Sequence, residues 1–154
     1  MTHPSPIHDR LKSTSFRIAV ITLSDRASQG LYDDISGALI QQRLTDFFAA
    51  NGLQLQITYH LIADEPETLT NIIQNHIASG THYIITTGST GIGPRDIAPD
   101  TVKPLLDKEI PGIMEYIRIK YGATMPNALL SRSIAGIAKN TIIYAVVGIV
   151  IVAM

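Results

Sequence analysis

The stretch FRIAVITL, Phe16–Leu23, is apolar or β-branched at nearly every position. A strand with one wet face alternates apolar and polar residues; this one does not. The pattern suits a strand covered on both faces, as in a parallel sheet. Parallel neighbours need long crossovers, usually helical, and the following sequence supplies them. In ISGALIQQRLTDFFAANG the apolar residues Ile35, Leu39, Ile40, Leu44, Phe47 and Phe48 recur at spacings of three and four. That marks an amphipathic helix, stopped by Asn51-Gly52. LQLQITYHL alternates and reads as a strand nearer an edge. IADEPE turns into a second helix, ETLTNIIQNHIAS, closed by Gly80, and HYIITT is a third buried strand. The alternation predicts one domain of the α/β class, with helices on both faces of a mostly parallel sheet.

SDRASQGLYDD, between the first strand and helix, reads as a loop. Beyond Asp96, PDTVKPLLDKEI and PGIMEYIRIKYG read as short helices, each opened by proline. NALLSRSIAGIAKNTIIYAVVG reads as a helical turn and two strands joined at Lys139-Asn140. The polar, proline-bearing residues 1–15 are expected to be a flexible tail, and residues 16–154 the domain. The terminal run TIIYAVVGIVIVAM is too short for a membrane-spanning helix, which needs roughly 20 residues, and is expected to be buried strand.

Composition narrows the function. The net charge is −1, without the broad basic footprint of a nucleic-acid-binding protein. With no cysteine in 154 residues, disulfides, thiolate metal sites and a cysteine nucleophile are excluded. No secretory leader is recognisable, and a cytoplasmic protein is expected. The histidines His3, His8, His60, His76 and His82 show no metal-ligand spacing and are read as structural or solvated.

In open α/β sheets, ligands bind outside the carboxyl ends of the strands. Three segments converge there: Ser24-Asp25-Arg26, Asp64-Glu65 and Gly88 to Asp96. The third lies in ITTGSTGIGPRDIAPD. Its glycines permit positive φ and close approach of backbone N–H groups to an anion. The spacing Gly88-x-x-Gly91-x-Gly93 is neither the dinucleotide fingerprint nor a P-loop. Arg95 offers a fork for phosphate. Asp96 beside a phosphate requires a cation, and Mg2+ is the usual one, held by one or two carboxylates plus phosphates. Asp64 could be the second carboxylate or merely cap the next helix. Asp100, between Pro99 and Thr101, reads as a helix-start residue.

ITLSDRASQGLYDD, LIADEPE, TTGSTGIGPRDIAPD, EIPG and NALLSRSIAGI, in this order, resemble the molybdenum-cofactor biosynthesis proteins of the MogA/MoaB type, a domain also found in gephyrin. The likeness covers nearly everything from Phe16 to about Tyr144. It implies a three-layer αβα sandwich assembling as a trimer or hexamer. It implies molybdopterin binding and, in the MogA branch, Mg-ATP-dependent adenylylation of molybdopterin. By that resemblance Asp64 and Asp96 are the acidic pair tied to Mg2+ and catalysis. Gly88, Ser89, Thr90 and Gly91 would bind phosphate and pterin, Ser24, Asp25 and Arg26 would line the same edge, and Ser131 and Arg132 would contact the ligand region. Arg95 would neutralise phosphate charge.

Two departures bear on activity. Ser89 stands where the family usually has glycine, at a cost of about 1 kcal/mol if φ is positive there. After TIIYAVV the family typically continues Pro-Gly-Ser and a final helix, whereas this chain reads VVGIVIVAM. Exposed apolar surface and stronger self-association are expected to follow. The alternative function is a MoaB-like module that binds molybdopterin without adenylyl transfer.

Overall fold

The structure is a computed structural model that describes residues 14–148. Most of the N-terminal tail and the last six residues of the apolar terminal run therefore lie outside the described residues.

A six-stranded sheet carries the fold. Strands β1 (Ser15–Leu23), β2 (Gln54–Ile62), β3 (Tyr83–Thr87), β4 (Lys108–Glu109), β5 (Ile134–Ala138) and β6 (Thr141–Val146) are arranged in the order β2-β1-β3-β6-β5-β4. The first four in that order run parallel, and β5 and β4 close the sheet antiparallel. The alternating strand does sit at an edge. The β5–β6 hairpin turns at Lys139, which holds φ +53°, and at Asn140.

The helices are α1 (Asp25–Ser28), α2 (Ile35–Ala50), α3 (Pro66–Ala78), α4 (Ala98–Val102) and α5 (Pro111–Gly122), with 3-10 turns at Lys103–Leu105 and Pro126–Leu130. Two departures from the sequence reading stand out. SDRASQG contains the one-turn helix α1, because the Ser24 hydroxyl accepts from Ala27 N at 3.1 Å. The segment read as one helix through Ile110 ends early, and Lys108–Glu109 pairs with β5 instead.

Successive β1 residues feed opposite cores. Ala19, Ile21 and Leu23 pack with Leu69 and Ile73 of α3 and with Ala98 and Val102 of α4. Ile18 and Val20 pack with Ile40, Leu44 and Phe48 of α2. Hence β1 is fully covered from Ile18 onward, which is why its sequence does not alternate. The buried stripe of α2 is narrower than its spacing suggested, since Ile35 and Phe47 are exposed. The result is the expected single α/β domain of three layers.

Candidate functional site

From β1 the chain crosses to β2 on one side, and β3 lies on the other. The covering helices are on opposite faces, so a crevice opens beyond the carboxyl ends of β1 and β3. The three segments singled out in sequence meet there. Ser24 N donates to Ile62 O at 2.9 Å, tying the ends of β1 and β2. Asp64 N then donates to Asp25 Oδ1 at 3.0 Å, and Asp25 N donates to Asp64 Oδ2 at 3.3 Å. Asp64 is therefore not a helix cap; Glu65 occupies the N-cap position and makes no side-chain cap bond.

The Asp25 carboxyl is held below the ordinary carboxylate range, first by the Asp64 N–H and then by Arg95. Arg95 Nε donates to Asp25 Oδ2 at 3.0 Å, and Nη2 joins it on the same oxygen. Burial pushes the Asp64 carboxyl the other way, upward, against the hydrogen bond from Asp25. Asp64 Oδ1 is buried without a hydrogen-bond partner.

The glycine loop leaves the end of β3. Gly88 has φ +92°, and a Cβ there would collide with the Leu23 carbonyl oxygen at the end of β1. Farther along, the glycines make room for a carboxylate. Gly93 N donates to Asp96 Oδ2 at 2.8 Å, and a Cβ on Gly91 would stand 2.7 Å from the same oxygen. Ser89 adopts φ +56°. Its hydroxyl donates to Arg95 O at 3.0 Å and accepts from Ile97 N at 2.9 Å, so it closes the loop on itself.

Arg132 braces this loop from below. Its Nε donates to Gly91 O at 2.7 Å, its Nη2 to Asp96 O at 2.6 Å and its Nη1 to Asp100 Oδ2 at 2.7 Å. Its backbone N donates to the carbonyl of buried Thr90 at 2.8 Å. Every guanidinium nitrogen of Arg132 is thus engaged by the protein. Ser131 is buried, and its hydroxyl pairs with that of Ser133 at 2.5 Å. Asp100 lies in the first turn of α4, as read from sequence, and its ion pair to Arg132 is additional.

A cavity of about 560 Å³ opens at the strand ends. Of the residues anticipated from sequence, Ser24, Asp64, Gly88 and Ser89 line it. Asp25, Arg26, Thr90, Gly91, Arg95, Asp96, Ser131 and Arg132 do not. Arg26 lies over the ring of Tyr32 at 5.2 Å, and the Tyr32 hydroxyl bonds to Ser24 Oγ at 2.8 Å.

Sequence reasoning assigned Asp34, with Tyr32 and Asp33, to the loop and helix start, with substrate contact as the lesser reading, and gave Thr87 no role; both Asp34 and Thr87 line the cavity. Thr87 Oγ1 is buried without a partner. Asp34 accepts from Thr22 Oγ1 at 2.6 Å, from Tyr59 OH at 2.5 Å and from Gly37 N at 3.0 Å, capping α2. Burial, and then the Asp34 carboxylate, push the Tyr59 hydroxyl up to about 12. The cap position of Asp34 was the signal available; its bond to a distant tyrosine was not.

The donor set suits a hard divalent cation. Asp64 offers an unpartnered carboxylate oxygen at the cavity wall. Among the described residues no three His, Cys, Asp or Glu side chains converge, and Mg2+ characteristically takes one or two carboxylates and completes its shell with phosphate and water.

Known proteins resemble this chain over most of its length. A molybdopterin adenylyltransferase from Helicobacter pylori is 35% identical over 130 residues, covering 84% of this chain and 72% of its own. The crystal structure of the molybdopterin biosynthesis enzyme MoaB from Thermus thermophilus superposes with a TM-score of 0.75 at 32% identity, covering 86% of this chain and 81% of its own. That of the tungsten cofactor synthesizing protein MoaB from Pyrococcus furiosus gives 0.74 at 31% identity, covering 88% and 83%. Residues 19–151 match the family described as a probable molybdopterin binding domain, and the chain belongs to that family.

Proposed function

We propose that this chain is a molybdopterin adenylyltransferase of molybdenum cofactor biosynthesis. A terminal phosphate oxygen of molybdopterin attacks the α-phosphorus of ATP, the bond to the β-phosphate oxygen breaks, and pyrophosphate leaves. The observation that carries this reading is the unpartnered Asp64 Oδ1 on the wall of the strand-end cavity, beside the glycine loop. The relatives that bear the adenylyltransferase name support it.

Transfer of this kind depends chiefly on positioning and charge neutralisation. Asp64 would hold Mg2+, whose contribution is to neutralise phosphate charge; Asp96, whose Oδ2 is taken by the Gly93 N–H, would join it through its other oxygen. The chain's own residues do the positioning. Asp25 fixes Asp64 through paired hydrogen bonds. Arg132 and Asp96 fix the loop. Gly88 and Ser89 line the cavity and would meet phosphate and pterin through their backbone; Thr90 and Gly91 would join them where the ligand extends along the loop, with Ser24 and Arg26 on the same edge. Arg95 lies 68% exposed over Asp25 and is available to an incoming phosphate. Exposed Tyr116, Ile119, Leu129 and Leu130, on α5 and the turn after it, support a homo-oligomer, trimer or hexamer. No helix among the described residues is long and apolar enough to cross a membrane, and a cytoplasmic site of action is part of the proposal.

The test is incubation with molybdopterin and Mg-ATP, with adenylylated pterin followed by chromatography. Product is expected, and turnover should fall at least about 100-fold in Asp64→Asn and in Asp96→Asn. Pterin retained without product would establish the MoaB-like binding reading instead, and undiminished turnover in both variants would overturn the assignment of the acidic pair.

A further inference from the structure

His60 and His76, far apart in sequence, meet in the fold. His60 lies on the edge strand β2, His76 on α3, and their Nε2 atoms are 2.9 Å apart. The rings are half-buried and nearly perpendicular, with centroids 5.1 Å apart at 73°. A cavity of about 280 Å³ lies beside them, lined also by Ile72, Asn75 and Ser79. We propose that this pair is a binding site for a divalent transition-metal ion of the zinc and nickel class, clasping β2 to α3.

Three observations carry the proposal. The first is distance. Two imidazole nitrogens bound about 2.0–2.1 Å from one ion lie about 2.9 Å apart in adjacent octahedral positions and about 3.3 Å apart at the tetrahedral angle that zinc prefers, so the pair stands at ligating separation for the first and within about 0.4 Å of it for the second. The second is the outer contact of His76. Its Nδ1 meets the hydroxyl of buried Thr81 at 3.0 Å; with that hydroxyl accepting, the proton sits on Nδ1, the ring is held in place and Nε2 is free to ligate. The third is room. A pair serving only as an N–H···N bond needs no space at its flank, whereas an ion with water in its remaining positions does. Burial also favours the neutral rings, which are the ligating form.

No third His, Cys, Asp or Glu joins the pair among the described residues. The remaining positions fall to water, so the ion exchanges readily. Nitrogen ligands discriminate against Mg2+, which separates this site from the carboxylates at the strand ends. Its place in the fold gives it a purpose. β2 ends at Ile62 and α3 begins at Pro66, so the clasp joins the two elements that flank Asp64.

The experiment is calorimetric titration of the full chain with Zn2+ or Ni2+ in excess Mg2+. One equivalent should bind without displacement by Mg2+ and should raise the melting temperature. His60→Gln and His76→Gln should each weaken binding at least about tenfold, while His82→Gln and the double variant His3→Gln/His8→Gln leave it unchanged. Should a variant fold poorly, the ring 15N resonances of His60 and His76 in the wild-type chain should shift together on adding Zn2+. Absence of binding at millimolar metal, equal binding by both variants, or unmoved ring resonances would overturn the proposal. The outcome is independent of adenylyl transfer.

Discussion

Asp25 and Asp64 exchange hydrogen bonds, each backbone N–H donating to the other's carboxylate across the ends of β1 and β2. Their environments nevertheless push the two carboxyls apart. Asp25 is lowered by the Asp64 N–H and by Arg95, while Asp64 is raised by burial and, further down, by the charge of Asp25. The stability consequences have opposite signs. Asp25 contributes stability present above its unfolded value of about 3.9 and lost as pH falls through its folded value. Asp64 contributes stability present below about 3.9 and lost as pH rises through its folded value. For catalysis, the acid limb of the kcat/KM profile should therefore lie above the ordinary carboxylate range. Asp25→Asn removes a negative neighbour and frees Arg95, so it should move that limb toward lower pH. An unmoved limb would show that Asp25 does not set the ionisation of Asp64.

Ser89 combines a penalty with a compensation. Its φ of +56° costs about 1 kcal/mol for a side-chain-bearing residue. Its hydroxyl recovers this through bonds to Arg95 O and Ile97 N, each contributing about 1 kcal/mol. Ser89→Ala keeps the penalty and loses both bonds; Ser89→Gly loses the bonds but also the penalty. Denaturant unfolding should rank wild type first, Ser89→Gly about 1 kcal/mol below it and Ser89→Ala about 2 kcal/mol below it. Equal stability of the alanine variant would mean that the hydroxyl contributes nothing to closing the loop.

The fold was legible because its signals were local. An unbroken apolar β1 and the three-and-four spacing of α2 specify a doubly covered sheet before any contact is known. The convergence of Ser24, Asp64 and Gly88 followed from the rule for strand ends. What stayed hidden was which polar groups answer one another across the chain. Nothing near Arg132 announces that its guanidinium meets the carbonyls of Gly91 and Asp96, 41 and 36 residues away. Nothing near Tyr59 announces Asp34. The histidines looked scattered because His60 and His76 are brought together only by packing α3 against the sheet. One-turn α1 and two-residue β4 were missed because elements so short carry no periodicity and are set by a cap or a neighbouring strand.

Arg132 supports the loop that holds Asp96, so its removal should act on the loop before it acts on the fold. Three charge-assisted bonds leave with Arg132→Ala, and the carbonyls of Gly91 and Asp96 lose their donors. A loss of about 2–3 kcal/mol is expected, with amide exchange accelerated over residues 88–96. Lysine keeps the charge but cannot fork onto separate oxygens, so Arg132→Lys should recover little. Full recovery by lysine would mean that charge alone, and not the geometry of the brace, holds the loop.

The histidine pair should make the protein sensitive to mild acid. Burial holds both rings below the usual histidine range, and the charge of His60 adds to the effect on His76. Because the folded values are depressed, the pair's stability is fully present above the unfolded value of about 6.5 and is lost as pH falls through the folded values. Two protonated rings at a Nε2 separation of 2.9 Å would also lose their shared hydrogen bond and repel. With chelator present to exclude metal, the melting temperature should drop by a few degrees between about pH 7.5 and pH 5. The double variant His60→Gln/His76→Gln should flatten that slope, since glutamine carries no charge in this range. His82 is the control: its Nδ1 accepts from Arg17 N at 3.0 Å, and it lies outside the pair. A slope that persists in the double variant and vanishes in His82→Gln would place the acid sensitivity at the start of β1 instead, where Arg17 and His82 join β1 to the segment entering β3.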